Sequence, residues 1–161
     1  MLYLGFLLVA AGVGVMVYEY TDSLRASDRE YSVSLALLVY LRGAVSDGRT
    51  PSESILSFLK GTEAPRWAAG LESEEKTASF LRSRGISRAG TLLLGEDREA
   101  LSDFFFELGR AELSEERARL DRIINRIEKS GAEKRALTEG KIRSAWVLFA
   151  TAALGALILT V

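Results

Sequence analysis

The chain has 161 residues and a formal net charge of −1, which suits one compact domain with or without anchors and gives no reason to expect nucleic acid as a partner. Cysteine and histidine are both absent, which excludes disulfides, thiolate metal sites, the usual zinc ligand and the side chain best suited to proton transfer near neutral pH. Charge is also segregated, since no Asp, Glu, Lys or Arg occurs in residues 1–18 or 144–161. A soluble globule mixes charge along its length, whereas a bilayer gives a reason to strip it from both ends.

Residues 1–18 form an uncharged, Gly- and Ala-containing apolar run. At a rise of 1.5 Å per residue it would reach roughly 27 Å as a helix. That nearly matches a hydrocarbon core of about 30 Å, and Tyr18 and Tyr20 suit its interface. A cleaved signal peptide would want a basic start, yet the first basic residue is Arg25, so the pattern favours a retained transmembrane helix.

From Leu24 to Val45 the apolar positions Leu24, Tyr31, Leu35, Leu38, Leu41 and Val45 recur mostly at threes and fours, predicting one helix with a buried face. The run 35–41, LALLVYL, is too apolar for a solvated helix and is expected in the core. Gly48 then offers a residue tolerant of positive φ to end that helix. Thr50 can cap the next one, Pro51 fits its first position, and Glu53 completes a capping box. Ile55, Phe58 and Leu59 would be its buried side.

The stretch 61–95 carries weaker signals: a helix near Leu71, Phe80 and Leu81, punctuation at Gly85, Gly90 and Gly95 after it, and Trp67 as a packing anchor beside Pro65. A stronger helix starts near Glu96 and buries Leu101, Phe104, Phe105 and Leu108, with a break at Leu108-Gly109. Leu113, Leu120, Ile123, Ile124 and Ile127 restart the stripe in a long helix toward the C-terminus. Along it, Glu115–Arg119 and Glu139–Arg143 are spaced as i,i+4 ion pairs, and Gly131 and Gly140 are places for a bend. Residues 144–161 form the second apolar run, with Arg143 able to snorkel and Trp146 at belt height. Both runs carry small residues at four-residue spacing (Ala10 and Gly14; Thr151 and Gly155; Ala152 and Ala156), which lets helices approach closely in lipid.

These features predict an all-α protein: transmembrane helices at 1–18 and 144–161 and a cytoplasmic helical bundle at 19–143. Arg126, Lys129, Lys134, Arg135, Lys141 and Arg143 crowd the inner side of the second run, which places the middle in the cytoplasm and both termini outside. No phosphate loop is present, the usual base for seryl hydrolysis is missing, and neither apolar run holds a carboxylate. The expectation is therefore a non-enzymatic scaffold with no catalytic, cofactor or metal residues. Its function would lie in a protein-binding surface, and Arg117, Arg119 and Arg122 with Glu112 and Glu116, around the start of the long helix, are the candidates.

Several residues also carry a resemblance. An N-terminal apolar helix opening Met1-Leu2 is followed by a helix ending in Gly48-Arg49-Thr50-Pro51. Phe105-Phe106-Glu107-Leu108-Gly109 leads a long charged helix, and Lys141-Ile142-Arg143-Ser144 enters a terminal apolar segment. In order and length this resembles the stage III sporulation protein AB family of endospore-forming bacteria. The family usually shows Asp and Gln after its Leu-Gly element, where this chain has Glu112 and Glu116. The resemblance implies a membrane component of the secretion-like complex between mother cell and forespore, seated in the mother-cell membrane. It also implies a cytoplasmic domain like that of type II secretion F-type platform proteins. The partners so implied are membrane lipid, a cytosolic secretion-type ATPase and other membrane proteins of the complex, with a homo-oligomer open. The alternatives are an assembly protein of another secretion or pilus system, and a membrane-tethered regulator.

Overall fold

A computed structural model describes residues 2–159, and side chains within residues 11–155. It is all-helical, and no strand occurs among the described residues. Six α-helices follow in order: α1 Leu2–Ser46, α2 Pro51–Gly61, α3 Glu74–Arg82, α4 Gly85–Arg88, α5 Gly95–Glu107 and α6 Leu113–Leu159, with a 3-10 turn at Arg66–Ala68 before α3. Two compact units are formed, one of Arg29–Ala132 and one of Met1–Asp28 with Glu133–Val161.

Within Arg29–Ala132 the core gathers Tyr31, Leu37, Leu38 and Leu41 of α1, Ile55 and Phe58 of α2, Leu101, Phe104 and Phe105 of α5, and Leu120, Ile123, Ile124 and Ile127 of α6. Trp67 is 2 % exposed, its ring 5.5 Å from that of Phe105, and its indole N–H donates to Ser34 Oγ at 3.2 Å. It is thus the packing anchor expected from sequence, with its one polar atom satisfied. The 35–41 run is buried at Leu37, Leu38 and Leu41, while Val39 faces outward.

The turn into α2 follows the sequence reading with one change. Gly48 has φ +72°, and Thr50 Oγ1 accepts from the Glu53 N–H at 3.4 Å with Pro51 opening the helix. The reciprocal half of the capping box is not made. Instead the hydroxyls of Thr50 and Ser52 both donate to Glu74 Oε1 of α3, at 3.2 and 3.1 Å, so a carboxylate from another helix sits at the positive end of α2. In the weakly patterned stretch, Gly85 is buried because Phe80 lies across it; a β-carbon there would come within 2.3 Å of the ring.

Two expectations for α6 are corrected. Leu113 is 49 % exposed rather than part of the buried stripe, because it opens the helix and no element covers it. α6 runs without interruption through Gly131 and Gly140. Gly131 serves close packing, since its missing β-carbon would touch Tyr31 at 3.4 Å. Glu115–Arg119 forms at 2.7 Å, but Glu139–Arg143 is not an ion pair: both side chains instead line a groove in the other unit.

In that other unit α1 and α6 run antiparallel. Gly14 faces Phe149, and Asp28 accepts from Arg135 Nε at 3.1 and 3.3 Å, so two contacts fourteen residues apart on each helix fix one register. Outside this seam Val13, Val15, Met16, Tyr18 and Tyr20 on α1, and Trp146, Val147, Leu148 and Leu154 on α6, are exposed. Among the described residues no helix is long and apolar enough to cross a membrane. The expected spans fall partly outside those residues, since side chains of 1–10 and 156–161 are not described.

Candidate protein-interaction face

Five charged residues near the start of α6 were expected to form an interaction face, and the structure divides them into two kinds. Glu116 is only 4 % exposed, a correction to its place on that face. Its Oε1 accepts from the backbone N–H groups of Gly109, Arg110 and Ala111 at 2.8, 3.1 and 3.2 Å. The carboxylate thereby folds the α5–α6 loop back on the first turn of α6, where negative charge also meets the helix dipole. Gly109 allows the fold-back with φ +84°, and Leu108 packs partly into the core. The Leu108-Gly109 element is the turn that Glu116 holds.

Arg119 is also committed. It reaches Glu107 of α5 at 3.0 Å and Glu115 at 2.7 Å, and the bond to Glu115, chiefly, lifts its pKa further above the ordinary arginine value. Glu112, Arg117 and Arg122 remain exposed. Arg122, with Arg119 and Arg126, edges a groove of about 370 Å³ between α5 and α6, floored by Ala100, Phe104 and Ile123 and closed at one side by Glu107. A second cleft of about 190 Å³ joins Pro51 and Ser52 to Leu81, Arg82, Phe105, Leu108 and Arg110. Beside it Phe106 carries the guanidinium of Arg84 at 5.0 Å and of Arg110 at 4.4 Å. Pro51, Leu108 and Gly109 therefore line one cleft, while Gly48 and Thr50 form the turn that leads into α2 and Glu53 is exposed on that helix.

Sequence reasoning missed a buried polar network. Asp97, 3 % exposed, accepts from Tyr31 Oη at 2.7 Å, Arg126 Nε at 3.1 Å and Ser130 Oγ at 3.2 Å. The Tyr31 hydroxyl in turn accepts from the Leu94 N–H at 3.1 Å. One residue away, Glu30 accepts from Thr91 Oγ1 at 2.7 Å and the Leu92 N–H at 3.1 Å. Two adjacent residues of α1 thus pin the segment between α4 and α5, while Asp97 ties α5 to α6. Burial chiefly, and the bond to Asp97, raise the Tyr31 pKa, with the Leu94 amide acting the other way.

Each of the three buried carboxylates accepts hydrogen bonds from loop amides or neighbouring side chains, which is work of folding. What the surface offers is guanidinium groups on α6 beside a partly apolar groove, a composition suited to binding an acidic protein surface. No protein-family model, no curated protein and no solved structure matches the chain.

Proposed function

We propose that this chain is a non-enzymatic, membrane-anchored scaffold. Segments 1–18 and 144–161 would span the mother-cell membrane, with residues 19–143 in the cytoplasm and both termini outside. The observation that carries this reading is the pairing of α1 and α6 next to their apolar ends. Large apolar side chains stand exposed on both helices there, and leaving them in water forgoes about 25 cal/mol per Å² of apolar surface. Hydrocarbon removes that loss, and exposed apolar faces of this kind mark a membrane or partner surface.

In this reading the bundle is the working part of a component of the sporulation secretion-like complex, and it docks a cytosolic secretion-type ATPase. Support comes from the exposed Arg117 and Arg122 on α6, together with the committed roles of Glu30, Asp97 and Glu116, which spend the buried acids on structure. Arg119 belongs to the fold through Glu107 and Glu115, so the test separates it from its neighbours. Arg117→Glu with Arg122→Glu should abolish co-purification of the full chain with the secretion-type ATPase of the same complex and lower spore yield. Membrane fractionation should not change. Undiminished co-purification would remove this face from the account.

A further inference from the structure

Beneath the exposed aromatic side chains of the α1–α6 pair lies a groove of about 350 Å³ lined by Arg25, Asp28, Arg135, Thr138, Glu139, Ile142 and Arg143. Its charge is unevenly spent. Asp28 is held by both bonds from Arg135, whereas Arg25 and Arg143 make no ion pair among the described residues and Glu139 is not within pairing distance of either. Two guanidinium groups thus line a concave site that supplies them with no bonded carboxylate.

Position says what could meet them. The antiparallel register set by Gly14–Phe149 and Asp28–Arg135 puts Trp146 level with Val17, beside Tyr18, and Arg143 level with Tyr20. From that level the groove extends roughly 12 Å along the helices, away from the apolar ends. Tyr and Trp settle at the edge of the hydrocarbon, and the headgroup layer beyond it is about 5–8 Å thick on each side. Arg143 starts inside that layer, and Arg25 reaches it along its own aliphatic stem. The exposed side chain of Val147, beside Trp146, offers an apolar surface on which an acyl chain can lie.

We infer that this groove binds the phosphate headgroup of an anionic phospholipid, with Arg25 and Arg143 as its two guanidinium ligands. The inference rests on the membrane reading above. Guanidinium forks match phosphate oxygens in pairs, and the cytoplasmic leaflet is where anionic lipid concentrates. Free phosphate shares the headgroup chemistry but has no chain to lay against Val147. Glu139 opposes binding from within the groove.

The test uses the full chain in phosphatidylcholine vesicles containing either brominated phosphatidylcholine or brominated phosphatidylglycerol at the same mole fraction. Tryptophan quenching is the readout. Brominated phosphatidylcholine should dim the emission, and brominated phosphatidylglycerol should dim it several-fold more effectively. Arg25→Gln with Arg143→Gln should erase that excess and leave the phosphatidylcholine quenching intact, and Glu139→Gln should enlarge the excess. Lys129→Gln with Lys141→Gln, an equal loss of charge off the groove, should keep it. Equal quenching by the two lipids would overturn the inference, as would an excess that survives the groove variant or falls equally in the control. Loss of the excess on adding millimolar inorganic phosphate would reassign the groove to free phosphate. Quenching by neither lipid would instead sink the membrane reading itself.

Discussion

Replacing Asp97 by alanine should be among the most damaging single changes in the bundle. The carboxylate is buried and accepts three hydrogen bonds. Of its donors, Arg126 has a side chain 44 % exposed and keeps Glu96 at 3.6 Å, so it can turn to water at small cost. The Tyr31 hydroxyl is buried and loses an acceptor at 2.7 Å. A charge-assisted bond is worth about 1.5–3 kcal/mol and a stranded buried donor costs about 1–3 kcal/mol, so Asp97→Ala should cost about 3–4 kcal/mol. Asp97→Asn keeps the shape and one acceptor oxygen, and should lose about half of that. Urea unfolding of the detergent-solubilised full chain, followed by Trp67 emission in a Trp146→Phe background, measures both. The midpoint should fall with an unchanged slope. A loss under about 1 kcal/mol would instead put this network among those that exchange evenly for apolar packing.

Tyr31→Phe should change the alkaline limb of stability. The folded-state pKa of Tyr31 is raised, so its contribution is fully present below the unfolded value of about 10 and is lost as pH climbs through that value toward the folded one. Unfolding midpoints above about pH 10 should therefore fall more steeply for the parent than for Tyr31→Phe. Glu116→Gln should cost about 1–3 kcal/mol by weakening the acceptor of three amides, and hydrogen exchange should speed up at Gly109, Arg110 and Ala111. Gly140→Ala, where a β-carbon meets nothing within 4 Å, should stabilise α6 by up to about 1 kcal/mol in thermal unfolding.

Local chemistry was legible in the sequence where a short segment determines its own geometry. Gly48, Thr50 and Pro51 impose a turn and a helix start whatever packs around them, and the spacing of Leu101, Phe104 and Phe105 states which side of α5 is buried. Asp97 was not legible. An acid in a first helical turn ordinarily faces solvent, and its burial depends on Tyr31, sixty-six residues earlier. Glu115 and Glu116 show the same limit at neighbouring positions. One pairs with Arg119 at the surface, while the other is buried because a glycine turn folds three amides onto it. Glu139 and Arg143 have suitable spacing for an ion pair, yet spacing does not report the groove between two helices into which both project. Gly131 read as a weak point and proved to be a contact, since Tyr31 packs where its side chain would be.

The proposed topology holds the bundle in the cytoplasm between two membrane spans, and the cysteine-free sequence allows a direct test. Ser79 is exposed on α3, so Ser79→Cys introduces one accessible thiol with little disturbance. In intact cells producing the full chain, a membrane-impermeant maleimide should leave this thiol unlabelled, and the same reagent should label it fully once the cells are opened. Labelling of Ser79→Cys in intact cells, to the level seen after lysis, would contradict the proposed topology.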